Sequence, residues 1–271
     1  MLRLLKSSFK TSVSHSFLLL MLWLYHFAWG FLLLLSVKPV VVSLMHRYPG
    51  GHLSTEASQL FLAEAQFRLM KTDISHSYLW LLLAFAVIRM LLTPLLNAGI
   101  FFSLRHPDLN SGYRFLLGIR KLGKPFLGYY ALQTLFTLAP LYWLYPIAKA
   151  ALGQYGDYTS IAVALLPWIC GYLLYGFLLR LCFVYVQLGR AAEDRLGRSL
   201  SQFIRRLPVI VGLALLVLAL SSVATASVLS VSLLWAGVSA FVLQQMFHFV
   251  NMLFKLWSIA AQYHVYANDA K

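Results

Sequence analysis

Acidic residues are scarce in this chain. Only eight of its 271 residues are Asp or Glu, against 22 Lys and Arg, so the net charge is +14. Intramembrane aspartyl proteolysis needs paired carboxylates, and metal-dependent hydrolysis needs acidic ligands. We therefore expect no enzymatic activity and no cofactor. All eight acids lie between the long apolar runs, at Glu56, Glu64, Asp73, Asp108, Asp157, Glu193, Asp194 and Asp269.

Cysteine is equally scarce, with Cys170 and Cys182 as the only two in the sequence. Twelve helical residues separate their Cα atoms by about 18 Å, which is too far for a disulfide. We interpret both as packing residues, because no Cys or His spacing typical of a metal site occurs. The H-E-x-x-H, G-x-S-x-G and Walker motifs are also missing, so the corresponding proteases, hydrolases and nucleotide-binding enzymes are excluded.

Charged residues of both signs make up 11% of the chain, whereas soluble domains carry about 25%. Hydrophobic residues make up 61%, more than a soluble fold of this length can bury. The composition therefore indicates a membrane protein. Because the basic residues stand between apolar runs, we expect them to bind anionic lipid headgroups and not nucleic acid.

Six segments are long and apolar enough to cross a bilayer, which takes about 20 helical residues. The sequence predicts an all-α transmembrane bundle that forms one membrane domain over 1–271, with short amphipathic interfacial helices. The first apolar run exceeds a signal-peptide core, so we interpret it as an uncleaved span. Ser227–Ser232 is the candidate turn between the last two spans. The predicted spans are 17–44, 78–104, 125–147, 161–188, 207–227 and 233–262.

The distribution of Lys and Arg predicts the orientation of the spans. Fourteen of these residues fall on one side of the predicted bundle, in both termini and in the loops around 105–124 and 190–206, against four on the other. The positive-inside rule places the basic side and both termini in the cytoplasm. The loop 46–77 is then external, and its apolar spacing after Ser54 and Thr55 predicts a short amphipathic helix.

The two basic loops resemble each other at an offset of 85 residues. Arg105 aligns with Arg190, Gly112 with Gly197, and the sequence IRKL at 119–122 with IRRL at 204–207. Each reads as a span followed by a basic amphipathic helix and a second span. With the N-terminal stretch 2–17 as a third copy, the chain would consist of three hairpin repeats, an arrangement that occurs in transporters.

Two arginines interrupt the predicted spans without an acidic partner. Arg89 lies eleven residues inside the second span, and Arg180 lies about eight residues from the inner end of the fourth. Charges at such depth are costly and often functional, so we expect these guanidinium groups to bind an anionic group such as a lipid phosphate. The alternative is that Arg180 extends to the inner headgroups and Arg89 bonds carbonyls freed by Pro94.

Polar residues follow one helical face of the sixth span. Spacings of three and four residues join Gln244, His248, Asn251, Lys255, Ser258 and Gln262. This stripe is predicted to line a hydrophilic cavity, with His248 handling protons, or else to form hydrogen bonds between helices. Asn97, which with Pro94 is predicted to kink the second span, completes the candidate ligand-binding set of Arg89, Arg180, Asn97, Gln244, His248, Asn251 and Lys255.

The basic-helix-and-hairpin pattern resembles an uncharacterised family of bacterial six-span membrane proteins. That family is related to the membrane domain fused to some glycerophosphodiester phosphodiesterases. The matching residues are Pro94 with Gly99, the loop 112–124, and the loop 190–206. The catalytic domain and its acids are missing here, so the resemblance implies a membrane module of the bacterial cytoplasmic membrane, in lipid handling or in support of a partner.

The leading hypothesis is a non-enzymatic multi-pass protein that binds or translocates an anionic, lipid-like ligand. The alternative is a structural or regulatory subunit whose basic inner loops act on a partner protein. A third hypothesis is an intramembrane enzyme that uses His248.

Overall fold

The computed structural model describes residues 2–45, 73–154, 157–234 and 238–269, and these parts of the chain contain helices and no strand. Gln244 lies in a described helix, but its side chain is outside the description, as is the amphipathic helix predicted in loop 46–77. The helices are α1 (Leu2–Ser14), α2 (Ser16–Met45), α3 (Asp73–Arg105), α4 (Ser111–Leu138), α5 (Leu141–Gln154), α6 (Tyr158–Ala191), α7 (Leu196–Arg205), α8 (Leu207–Leu234) and α9 (Val238–Asp269).

Within the described residues, five stretches of helix are long and apolar enough to cross a membrane, which indicates a membrane-embedded protein. They are Ser16–Ser36, Leu79–Arg105, Ser111–Gln154, Thr159–Ala191 and Leu207–Val231. The helix α9, which is described only in part, is not among them, and its sequence carries Gln, His, Asn and Lys among the apolar residues.

The chain divides into two compact units, and the smaller one comprises Met21–Thr93. Aromatic side chains connect its two described helix segments: the ring of Trp29 packs edge-on against Phe85 at 5.8 Å. The hydroxyl groups of Tyr25 and Thr93 lie 3.2 Å apart in hydrogen-bond contact, and the Thr93 hydroxyl also donates to the Arg89 carbonyl at 2.7 Å. Most of the other described side chains in α3 of this unit are exposed.

The larger unit comprises Met1–Leu20 and Pro94–Lys271, and its core lies among the helix ends that flank the basic loops. This core is formed by Phe126 of α4 together with the end of α3, the end of α6, α7, the start of α8 and the end of α9. The largest side chains in it, such as Tyr185, Phe101 and Phe126, are almost completely buried. By contrast, most large apolar side chains of α4, α5 and α6 beyond this region are exposed, as lipid-facing residues are.

Small residues allow α6 and α7 to approach closely. A Cβ atom added to Gly189 would overlap with the hydroxyl group of Ser199, which is fully buried. Directly after this contact, α6 ends in a hydrogen-bonded turn: the Asp194 amide donates to the Gly189 carbonyl at 2.9 Å, and Glu193 has a positive φ of 60°. This is the geometry of a Schellman motif, which reverses the chain direction into α7.

The turn predicted at Ser227–Ser232 is wrong, because α8 continues as one helix to Leu234. Serine does not break this helix, because its hydroxyl can bond to the carbonyl four residues before it. Ser227 donates to Val223 and Ser230 to Ala226, each at 2.9 Å. A helix does end within the predicted third span, 125–147, because residues 139–140 separate α4 from α5.

We expect Gly189→Ala to lower the free energy of unfolding by about 1–3 kcal/mol, since the added methyl group has no space against Ser199. Gly176→Ala, in the same helix, is the matched control, because a Cβ atom at Gly176 meets nothing within 4 Å. Thermal unfolding in detergent measures both. Equal midpoints for the two variants would contradict the close α6–α7 contact.

Candidate functional site

The two arginines of the predicted anion site have exposed side chains. Arg89 belongs to the smaller unit, and Arg180 belongs to the larger one. Neither forms an ion pair with any of the described residues. Their assignment to an anion site therefore stays a prediction, and so does the alternative in which they extend to headgroups or carbonyls.

The polar stripe of α9 passes from exposed to buried surroundings along the helix. His248 is exposed, Asn251, Lys255 and Ser258 are half-buried, and Gln262 is buried. Asn97 is half-buried in α3. Within the described ranges, no hydrogen bond or ion pair joins Arg180, Asn97, His248 or Asn251 to one another. The cavity that the stripe was predicted to line also stays a prediction.

The buried end of the stripe connects three helices. The hydroxyl group of Tyr185 in α6 donates to Oε1 of Gln262 at 3.2 Å, while Nε2 of Gln262 donates to the Ile210 carbonyl of α8, also at 3.2 Å. All three residues are almost completely buried. At this position the stripe therefore forms hydrogen bonds between helices, as the alternative interpretation expects.

A second polar cluster lies where α6 turns into α7. The hydroxyl group of Tyr266 in α9 donates to Oδ2 of Asp194 at 2.7 Å and accepts from the Ser199 hydroxyl at 3.3 Å. Arg198 forms an ion pair with Oδ1 of the same carboxylate at 3.4 Å. Burial raises the pKa of the Tyr266 hydroxyl group, which therefore acts as a hydrogen-bond donor at neutral pH. The cluster attaches α9 to the α6–α7 turn.

The most deeply buried arginine that the structure describes is Arg114, whose side chain is 4% exposed. It lies in the first turn of α4, within the loop that was predicted to face lipid headgroups. Its guanidinium group donates through Nη1 to the carbonyl of Pro107 at 3.1 Å, and more weakly to that of His106 at 3.5 Å. These carbonyls belong to the turn between α3 and α4.

The other terminal nitrogen of Arg114 donates to a histidine. Nη2 lies 2.7 Å from Nδ1 of His15, the residue between α1 and α2, and 3.4 Å from the Ser111 hydroxyl. Because a guanidinium group only donates hydrogen bonds, Nδ1 of His15 has to be the acceptor, with the ring neutral. Burial and the positive charge of Arg114 both lower the pKa of His15.

This pair, which we call the Arg114–His15 node, holds a buried positive charge on neutral acceptors. No carboxylate contacts it in the parts of the chain that the structure describes, and Nε of Arg114 is buried without a hydrogen-bond partner there. Such a node positions the α1–α2 joint on the α3–α4 turn. Its weak point is the histidine, because a protonated ring cannot accept the bond at Nδ1.

Sequence reasoning did not identify Arg114, because it counted every loop arginine as exposed. A usable signal is its position beside Phe115 and one turn before Gly118, both of which are buried, on the side of α4 opposite Leu116 and Arg120. His15 carried no comparable signal, since its burial depends on contacts with α4.

Neither metal-binding side chains among the described residues nor known relatives indicate a function for this chain. In the described segments, no group of three His, Cys, Asp or Glu side chains is arranged to hold a metal ion. No protein-family model matches the chain, and neither a curated protein nor a solved structure matches it. The resemblance to the bacterial six-span family therefore stays a prediction.

We expect Arg114→Lys to lower the free energy of unfolding by about 1–3 kcal/mol, because an ammonium group cannot reach His15 and two carbonyls at once. The matched control is Arg180→Lys, at an exposed position of α6, for which we expect a change within about 0.5 kcal/mol. Thermal unfolding in detergent separates the two variants. A neutral Arg114→Lys would show that the node does not stabilise the fold.

Proposed function

We propose that this chain is a non-enzymatic, six-span membrane protein that binds anionic phospholipids at one membrane surface. The headgroups contact basic residues of α1, of the first turns of α4, and of α7, while large apolar side chains of the same helices enter the lipid. The observation that carries the proposal is that each of these helices exposes both basic and apolar side chains while another of its sides is buried.

The helix α7 shows the pattern most clearly. Its Ser199 and Phe203 are buried in the larger unit. One apolar ridge, formed by Leu196, Leu200 and Ile204, is exposed, with Ile204 at 70%. Arg198 and Arg205 lie on the side of the helix opposite this ridge and are exposed to solvent. A helix with these three sides fits the membrane interface, where apolar side chains insert and cations meet phosphate groups.

The same division recurs in α1, whose Ser8 and Ser12 are buried. Its exposed apolar residues are Phe9 and Val13, and the exposed Lys6 and Lys10 follow them around the helix. An open surface depression of about 700 Å³ lies along this side of α1 and is bordered by Lys6, Ser7, Phe9, Lys10, Val13 and Ser14.

In α4, the exposed side carries Tyr113 and Leu116 together with Arg120 and Lys124. We call the exposed basic and apolar side chains of α1, α4 and α7 the interfacial surface.

Not every basic residue near this surface is available to lipid. Arg105 donates to the Ala191 carbonyl at 3.2 Å and so connects the ends of α3 and α6. The ammonium group of Lys121 lies 5.9 Å from the centre of the Phe102 ring, in a cation–π contact. These two contacts hold the helices together, whereas Lys6, Lys10, Arg120 and Arg205 are exposed and make no such contact with a described residue.

The proposal includes the topology that the sequence predicts. With α9 as the sixth span, both termini and the interfacial surface lie on the cytoplasmic side, where anionic lipids meet the excess of Lys and Arg. The buried Arg114 and the buried Ser199 occupy equivalent positions at the 85-residue offset, which supports an origin of the two loops in hairpin repeats.

Neutralising the interfacial surface is expected to weaken lipid binding. Each of Lys6→Gln, Lys10→Gln and Arg205→Gln should lower the affinity for phosphatidylglycerol about fivefold, because a cation near an anionic surface contributes about 1 kcal/mol. Native mass spectrometry of purified protein, titrated with phosphatidylglycerol in detergent, measures the bound lipid.

The matched control for these variants is Lys149→Gln, an exposed lysine of α5 that lies outside the interfacial surface. It should bind phosphatidylglycerol like the unchanged protein. If the triple variant, which carries Lys6→Gln, Lys10→Gln and Arg205→Gln together, also does so, the lipid proposal is wrong. The alternative function of a structural or regulatory subunit then gains support, provided that a defined partner binds the unchanged surface and not the triple variant.

Cysteine labelling from outside the cell tests the topology. In a chain with Cys170 and Cys182 replaced by Ser, a cysteine in loop 46–77 should react with a membrane-impermeant maleimide in intact cells. A cysteine at Ser201 of α7, or after Lys271, should react only after permeabilisation. External reactivity beyond Lys271 would mean that α9 does not cross the membrane.

A further inference from the structure

His15 is the joint between two helices. Its amide donates to the Thr11 carbonyl of α1 at 3.3 Å, and its own carbonyl accepts from the amide of Leu18 in α2 at 2.9 Å. The side chain is 7% exposed and accepts from Arg114 through Nδ1. The direction of the chain at this joint is therefore fixed in part by one hydrogen bond to α4.

We propose that the Arg114–His15 node is a pH-sensitive latch, which opens the α1–α2 joint from the α3–α4 turn when His15 takes up a proton. The latch would regulate the interfacial surface, because α1 and α4 both contribute to it. This regulatory part rests on the proposed lipid binding. The opening itself rests on the geometry of the node alone.

The hydrogen bond between Arg114 and His15 gives the node two states, closed when His15 is neutral and open when it is protonated. Protonation removes the lone pair of Nδ1, so the bond from Nη2 of Arg114 is lost. It also places two positive charges on atoms that are 2.7 Å apart in the closed state, at a buried site. The closed node has no acid in contact, within the described residues, that could balance the second charge. The joint then relieves the repulsion by moving away from α4.

The direction of the pH effect follows from the difference between the pKa of His15 in the folded protein and in the unfolded chain. The folded protein binds a proton at His15 less readily than an unfolded chain, whose histidine has a pKa of about 6.5. The closed state is thus fully stabilised above about pH 6.5. This stabilisation is lost as the pH falls below that value toward the lowered pKa of His15.

Two described histidines besides His15 adjoin the latch and have to be separated from it: His264 faces α1 from α9, and His106 lies in the α3–α4 turn with its carbonyl bonded to Arg114. Nε2 of His264 in α9 lies 3.0 Å from the Thr11 hydroxyl, and burial also lowers the pKa of this histidine. The same face of α9 holds α1 through Trp257, whose indole nitrogen donates to the Leu5 carbonyl at 3.2 Å and to the Ser8 hydroxyl at 3.0 Å. We therefore expect the residues after Thr11 to move and the turns of α1 up to Thr11 to stay on α9.

The distance between two spin labels tests the opening without lipid. The labels are placed at Ser14→Cys and Arg120→Cys, both exposed, in a chain with Cys170 and Cys182 replaced by Ser. In an uncharged detergent, acidification from about pH 7.5 to about pH 5 should shift most of the distance distribution to a second population at longer distance. The distances are measured by pulsed electron–electron double resonance, and this signal does not itself depend on protonation of the labels.

Two variants identify the group that titrates. His15→Asn keeps an acceptor near the position of Nδ1 but cannot be protonated, so its distances should be those of the neutral unchanged protein at both pH values. His264→Gln is the matched control, and it should retain the full shift. A shift that persists in His15→Asn, or that disappears in His264→Gln, would overturn the latch.

The regulatory part has a separate readout. Phosphatidylglycerol binding, measured as above at both pH values, should change at least about threefold between them in the unchanged protein and stay constant in His15→Asn. If the spin-label shift occurs but lipid binding does not respond, the latch exists and does not regulate this surface. If no phosphatidylglycerol binds at either pH, the proposed function fails while the spin-label result still decides the latch.

Discussion

The burial of polar groups among converging helix ends is the constraint on which the larger unit depends. Helix ends of the larger unit meet there, and a polar group buried among them costs free energy unless it is hydrogen-bonded. Gln262 connects α6, α8 and α9, Tyr266 connects α9 to Asp194, and Arg114 connects α4 to the α1–α2 joint. Removing one such partner leaves the other buried without a hydrogen bond, which costs more than the bond contributes.

The same packing explains why the interfacial surface is built as it is. The buried sides of α1, α4 and α7 contain Ser8, Phe115 and Ser199, respectively. The other sides of these helices are therefore exposed, and they carry the basic and apolar residues. Under the proposed lipid binding, the exposed apolar ridge of α7 lies among apolar lipid chains and is no packing defect. Structural cations such as Arg105 and available cations such as Arg205 differ only in whether a carbonyl or a ring lies within reach.

Much of the fold could be predicted from the sequence, because hydropathy and helix length are local properties. The helical class and the membrane-embedded character followed from the long apolar runs, and a separate helix between α6 and α8 followed from the basic loop 190–206. The turn at Ser227–Ser232 failed because serine is compatible with both a turn and a helix, and the hydroxyl bonds of Ser227 and Ser230 favour the helix.

The sequence by itself determined where charge is scarce and where it is concentrated, since both depend only on composition and order. It could not determine which of the described Lys and Arg side chains is buried. Arg89 and Arg180 stand in apolar sequence and are exposed, whereas Arg114 stands in a basic loop and is buried. Only the tertiary structure decides this, because burial depends on the other helices that pack around a residue, and His15 reaches Arg114 from 99 residues away in the chain.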